Sequence, residues 1–278
     1  MSKIWFVFFV LVSPCYSLPE LELPRLWNRP ETWLGLGFFL SPSQDFKYQN
    51  CHLEAQHTFS LSESPNQLLI VHEVKNQTLI LKQENQRMVY CRPDSSGMFP
   101  ELVFYKDLLD AKSHLMNKTV FSRSGEALIK NKSGVLVPQK IDRFKEFLIR
   151  DINLHPASSV YSLIAELFGT DRQIVFIPFS VSGVNQSTPV ASITNHLLLQ
   201  SPIEKYSLVA EDWNNLRSGQ VREGYSIELV ELIRGKPMRR VENSEHTTLI
   251  YQNKASLLHH VFFKGRLLTV REEVSDEL

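Results

Sequence analysis

Glu211, Asp212 and Trp213 follow one another in the chain. Two carboxylates beside an indole are the residue types that cleave glycosidic bonds: one acid protonates the leaving oxygen, the other attacks or activates water, and an aromatic face carries the sugar. Two more acid pairs sit three residues apart, Asp107 with Asp110 and Glu228 with Glu231. Solvation of a charged surface explains such pairs more often than catalysis does. Nine histidines occur, none in the His-Glu-x-x-His spacing that binds zinc. His52 and His57, on an expected strand, point to opposite faces, as do the adjacent His259 and His260, of which one is expected in the core and the other in solvent. Ser180-Val181-Ser182-Gly183 lacks the first glycine of a nucleophile elbow, and no glycine-rich phosphate loop is present. The catalytic set is therefore left unknown, and neither a metal nor a cofactor is expected.

The two ends of the chain are more informative. MSKIWFVFFVLVSPCYS combines a lysine, a nine-residue apolar run from Ile4 to Val12, a proline and small residues, the layout of a secretory signal peptide over residues 1–17. The run falls short of the roughly 20 residues that span a bilayer. The most apolar later stretch, Trp33 to Leu40, is shorter still, so the expected mature chain is soluble with no transmembrane anchor. Four glycosylation sequons follow, headed by Asn76, Asn117, Asn131 and Asn185, and attached sugars require solvated surface.

The last four residues, Ser275-Asp276-Glu277-Leu278, resemble the Lys-Asp-Glu-Leu and His-Asp-Glu-Leu endings of resident proteins of the endoplasmic reticulum. The resemblance matches three of four positions, with Ser275 in place of the cation. It implies residence in the lumen and capture of the tail by a retrieval receptor. Cys51 and Cys91 are the two cysteines outside the signal segment, and an oxidising lumen favours a disulfide between them. No Cys-x-x-Cys supports thiol exchange. His155-Pro156 resembles the start of the His-Pro-Asp of J-domain cochaperones, but Ala157 replaces the aspartate.

Thirty basic residues balance thirty acidic ones. Zero net charge argues against nucleic-acid binding and against calcium buffering. Composition is 43% apolar, ample for a core, and no internal repeat is evident.

The elements that must position these residues read as an α+β fold, largely antiparallel sheet with several packed helices, in as many as two subdomains. Residues 18–116 are expected to form a β-rich N-terminal subdomain. It opens with a proline-rich arm carrying Trp27 and Trp33, continues through a meander between Cys51 and Cys91, and ends in a helix after Pro100. Residues 117–138 read as a glycosylated loop or linker. Residues 139–271 read as an α+β C-terminal subdomain. Helices are expected at 139–152, 158–168 and near 206–216, and strands at 173–179, 225–233 and through to 271, the last bent at Lys264-Gly265. Residues 272–278 are expected as an exposed tail.

Together these features describe a luminal glycoprotein acting as a non-catalytic binding or quality-control factor for a client or partner protein. The alternative is a luminal hydrolase or transferase acting on glycans or lipids, with a site assembled from distant residues. Deleting Ser275 to Leu278 is expected to release the protein from expressing cells into the medium, measured by immunoblotting of medium and lysate. Undiminished retention would show that the tail is no address.

Overall fold

The computed structural model describes residues 29–41, 50–53, 67–155, 161–182, 193–253 and 256–274. The signal segment, Trp27, His57, Asn185 and the four tail residues lie outside this set. The described strands form three antiparallel sheets. The first contains β1 (Gly37–Leu40), β2 (Cys51–Leu53), β3 (Leu69–Lys75), β4 (Thr78–Gln83), β5 (Met88–Cys91) and β6 (Leu102–Phe104), in the order β2-β5-β4-β3-β1-β6.

The second sheet has seven strands, in the order β13-β7-β10-β11-β12-β8-β9. These are β7 (Thr119–Ser122), β8 (Glu126–Lys130), β9 (Leu136–Lys140), β10 (Glu146–Leu154), β11 (Leu163–Gly169), β12 (Ile174–Phe179) and β13 (Leu197–Leu198). The third is a meander of β14 (Arg239–Glu242), β15 (His246–Asn253), β16 (Ser256–Phe263) and β17 (Arg266–Val274). Four short α-helices accompany them among the described residues: α1 (Tyr105–Leu115), α2 (Pro202–Lys205), α3 (Ala210–Ser218) and α4 (Ile227–Arg234).

The first sheet follows from strict alternation. In TLILKQ, Leu79, Leu81 and Gln83 are buried while Thr78, Ile80 and Lys82 are half-exposed, the period of a strand with one solvated face. Asn76 and Gln77 both adopt positive φ (48° and 62°), the geometry of a two-residue type I′ hairpin that asparagine tolerates well. Cys51 and Cys91 stand directly opposite one another on β2 and β5 and form the disulfide. Trp33 is fully buried against Phe38 and Phe99, at 5.2 and 5.5 Å between ring centres.

The seven-stranded sheet packs its inner face, including Phe147, Ile149, Leu167 and Val175, against Ala111 and Leu115 of α1 and against Phe39 and Val103 of the first sheet. Two sheets thus share one core. Phe144 and Leu198 join instead the core formed by α4, Leu249 and Phe262 under the third sheet.

The expectation of an α+β fold with several packed helices is overturned: the structure is mostly antiparallel sheet, 45% strand and 19% helix, and its helices are short. The segment 139–152 is the end of β9 followed by β10. Its buried positions Phe147, Ile149 and Ile152 are spaced by two and then three residues because the pairing of β10 with β11 shifts register between Ile149 and Asp151. A bulge adds one residue to the strand period. The helical spacing comes from Ile141, Phe144, Phe147, Leu148 and Ile152, of which Phe144 precedes β10 and joins another core while Leu148 is exposed. Of the expected helix at 158–168, residues 158–160 lie outside the described set and 163–168 belong to β11, whose Leu163, Ile164, Ala165 and Leu167 are all buried, erasing any alternation.

The reverse error occurs at 225–233. There Ser226 caps α4, its Oγ accepting a hydrogen bond from Leu229 N at 3.3 Å, and Leu229, Val230, Leu232 and Ile233 are buried, a helical stripe. The helix after Pro100 begins only at Tyr105, behind β6. Residues 117–138, expected as a linker, supply β7, β8 and the start of β9, and β17 runs three residues into the expected tail.

The disulfide spans 40 residues of sequence. Replacing Cys51 and Cys91 together by alanine is expected to lower the unfolding free energy by about 4 kcal/mol, read from urea titration. An unchanged midpoint would contradict that role.

Candidate binding surface

On the side of the seven-stranded sheet that faces away from α1, one lateral row crosses four neighbouring strands. Thr119 of β7 pairs with Leu148 of β10, Leu148 with Phe168 of β11, and Phe168 with Ile174 of β12. Directly paired residues share a face and touch. Leu148 is 41% exposed, Phe168 37% and Ile174 39%. The inner neighbours Phe147, Leu167 and Val175 are buried, so the alternation that fills the core places these three side chains outward.

The surroundings of the row are polar. Along the sheet, Arg150 and Glu166 form an ion pair at 3.7 Å, and the Lys130 ammonium stands over the Phe176 ring at 5.0 Å, a favourable cation–π placement. At the β7 end the row meets a cavity of about 500 Å³ between that strand and α2, lined by Thr119, Phe121, Leu199, Ser201, Glu204 and Lys205. Ile203 of α2 is half exposed beside it. An apolar row edged by charges and ending in a mixed cavity can hold an apolar polypeptide segment, with Glu204 and Lys205 offering an acceptor and a donor at its end.

The acids named from sequence are occupied in other ways. Glu211 Oε1 accepts from Arg222 Nη1 at 2.6 Å, and Asp212 Oδ1 accepts from the Tyr225 hydroxyl at 3.1 Å. Both pairs tie the first turn of α3 to the loop before α4. Trp213 packs edge-on against Phe144 at 6.0 Å. Glu228 and Glu231 ride on α4, Glu228 exposed and Glu231 half-buried.

Asp107, in the first turn of α1, is buried. Its Oδ1 accepts from Ser182 Oγ at 2.7 Å and its Oδ2 from Ser182 N at 3.0 Å. Burial pushes this carboxyl up to about 7, the two Ser182 bonds pull it back, and Asp110 pushes it further up. Asp107 thereby clasps the exit of β12 to α1, and Ser182 serves as its partner.

The histidines divide as the strand geometry requires. His260 is fully buried, edge-on to Tyr251 at 5.1 Å, and burial, then Arg234, push it down to about 4. Its neighbour His259 faces the other way and reaches Glu273 at 2.9 Å. Burial likewise holds His155 down at about 4. His52 stacks on Tyr90. Among the described residues no three His, Cys, Asp or Glu side chains gather as a metal requires, and no described helix is long and apolar enough to cross a membrane.

The three described sequons head exposed reversals of the chain. Asn76 lies in the β3–β4 turn and Asn117 between α1 and β7. Asn131 heads the β8–β9 turn, where its Oδ1 accepts from Ser133 N at 2.9 Å and Val135 N at 3.0 Å.

Sequence reasoning missed Leu148 and Phe168 because their segments read as helices, and Ile174 because its strand, expected at 173–179, read as buried. Once β10 is read as a strand, alternation with buried Phe147 and Ile149 turns Leu148 outward, and the pairing of Leu148 with Phe168 and of Phe168 with Ile174 carries the other two to the same face.

No family model matches the chain, and no curated protein matches it. Among solved structures, NlpC2 from Trichomonas vaginalis aligns over 88% of this chain and 94% of its own, at 7% identity and a TM-score of 0.16. So slight a likeness carries no argument about fold or chemistry.

Asp107 yields a pH prediction. Its folded value lies above the ordinary 3.8, so folding favours the protonated acid. The stability it contributes is complete below about pH 4 and is lost as pH rises through about 7. Asp107→Asn is therefore expected to gain on the wild type across that window, by up to about 1.4 kcal/mol per pH unit, in urea unfolding at stepped pH. Parallel profiles would contradict the buried acid.

Proposed function

We propose that the protein is a soluble glycoprotein of the endoplasmic reticulum lumen that holds an apolar segment of an incompletely folded client without catalysis, while its tail returns the pair to that compartment. The observation that carries this reading is the row Leu148-Phe168-Ile174, three large apolar side chains side by side on a solvated sheet face. Contiguous exposed apolar surface rimmed by polar groups marks interaction sites. Burying what remains exposed on three side chains yields only a few kcal/mol at about 25 cal/mol per Å². Such a yield suits reversible holding better than a permanent complex.

The acid set does not favour the enzymatic alternative. Glu211 and Asp212, the most site-like pair, are engaged with Arg222 and Tyr225, in contacts that fix α3.

The surface is tested by suppression of aggregation of reduced insulin B chain, monitored by light scattering. The double variant Leu148→Lys with Phe168→Glu, its fold verified by circular dichroism, is expected to need at least about tenfold more protein for equal suppression, since stripping water from the introduced charge pair in a contact costs more than about 1.4 kcal/mol. Equal suppression by both proteins, or none by the wild type, would overturn the reading.

A further inference from the structure

We propose that the solvent face beside the β3–β4 hairpin is the seat of an N-linked glycan carried on Asn76. Its first N-acetylglucosamine lies on the Tyr90 ring and fastens the hairpin to its sheet. The inference rests on the luminal reading above, because only a chain that enters the lumen acquires such a sugar.

A groove of about 680 Å³ opens there, and Asn76 itself forms part of its wall, together with Glu73, Thr78, Ile80, Tyr90 and Arg92. Its floor is one lateral row: Glu73 pairs with Ile80, Ile80 with Tyr90, and Tyr90 with His52, across β3, β4, β5 and β2. Their inward neighbours Leu79, Val89 and Cys91 are buried, which turns this row to solvent. The Tyr90 and His52 rings stack at 5.8 Å with 21° between their planes. Stacking covers one face of the Tyr90 ring with His52, so the face left for a sugar is the one on the Ile80 side, where both residues line the groove as a partly apolar shelf.

A pyranose matches such a shelf. One face of the sugar carries mainly C–H bonds and rests on the negative face of an aromatic ring, while its edge carries hydroxyls and an acetamide that need partners. Glu73 supplies an acceptor and Arg92 donors at the rim of the groove.

Reach and direction also agree. The Lys75–Thr78 pair closes the turn, and the Ile80–Tyr90 row lies one two-residue step further along the strands, about 7 Å. A sugar on the asparagine amide covers such a distance. The positive φ of Asn76 and Gln77 fixes the two-residue turn, so the point of attachment is held over the groove.

Asn131 provides the internal control. Its turn is equally exposed, but the neighbours that follow are Lys132, Ser133 and Gly134, which present no ring.

The experiment uses the full chain from secretory human cells, with site occupancy read by mass spectrometry. Thermal unfolding is compared for the glycosylated protein, the same protein trimmed to one sugar per site, and Asn76→Gln, each with Tyr90, Tyr90→Phe or Tyr90→Leu. The one-sugar form is expected to unfold with the full glycoform. Asn76→Gln should unfold several degrees lower in the Tyr90 and Tyr90→Phe backgrounds and at an unchanged temperature relative to its parent in Tyr90→Leu, whereas Asn131→Gln should show no dependence on residue 90.

In proton NMR of the trimmed protein, the Asn76-linked sugar should resonate upfield of the Asn131-linked one, a ring-current shift abolished by Tyr90→Leu. Additive losses from Asn76→Gln and Tyr90→Leu, or coincident sugar resonances, would overturn the shelf while leaving the luminal reading intact. A bare Asn76 beside occupied Asn117 and Asn131 would also overturn it. Bare asparagines at all three would overturn both.

Discussion

Every second side chain of a strand must leave the face its neighbours occupy, and this constraint governs the seven-stranded sheet. Phe147, Leu167 and Val175 go inward to meet α1, so Leu148, Phe168 and Ile174 have no choice but the outer face. Residue type at those outer positions is free of that constraint. Threonine or lysine would satisfy the strand and the solvent alike, as Lys82 and Thr78 do on the first sheet. Three large apolar side chains in one register row, where a polar set would serve the fold as well, are therefore informative about contact with another molecule.

The inner face is satisfied without them. Fully buried Phe147, Ile149, Ile152 and Leu163 pack with Ala111 and Leu115 of α1, and the Asp107 clasp on Ser182 locks the start of that helix to the end of β12. The strongly shifted groups lie in the interiors, Asp107 and His155 at the seven-stranded sheet and His260 at the third. Asp107, His155 and His260 are perturbed first by burial, which favours the neutral form of each. Their arrangement is that of groups kept uncharged so that sheets can pack.

Where a strand has one wet face, the sequence was readable. β3, β4 and β5, the Asn76-Gln77 turn and the split between His259 and His260 follow from period two and turn chemistry, the Cys51–Cys91 bond was expected from an oxidising lumen, and the bend expected at Lys264-Gly265 is a full reversal between β16 and β17. The centre was not. Around β10, Phe144 of one core, Phe147 and Ile152 of another and exposed Leu148 fall at helical spacing, burial on both faces of β11 removes its period, and α4 packs so many apolar residues together that it reads as a strand. The binding row was further hidden because its members, Thr119, Leu148, Phe168 and Ile174, become neighbours only through pairing across four strands. Local periodicity carries no information on which strands lie side by side.

Site-directed photocrosslinking asks the central question most directly. A photoreactive phenylalanine analogue replaces Phe168 on the proposed face, or Leu109 on the exposed side of α1 as a control, and each protein is irradiated with reduced insulin B chain. The account predicts an efficient adduct from position 168 and little from position 109, with the adduct at 168 competed away by unlabelled wild-type protein. Equal labelling at both positions, or none at 168, would contradict it.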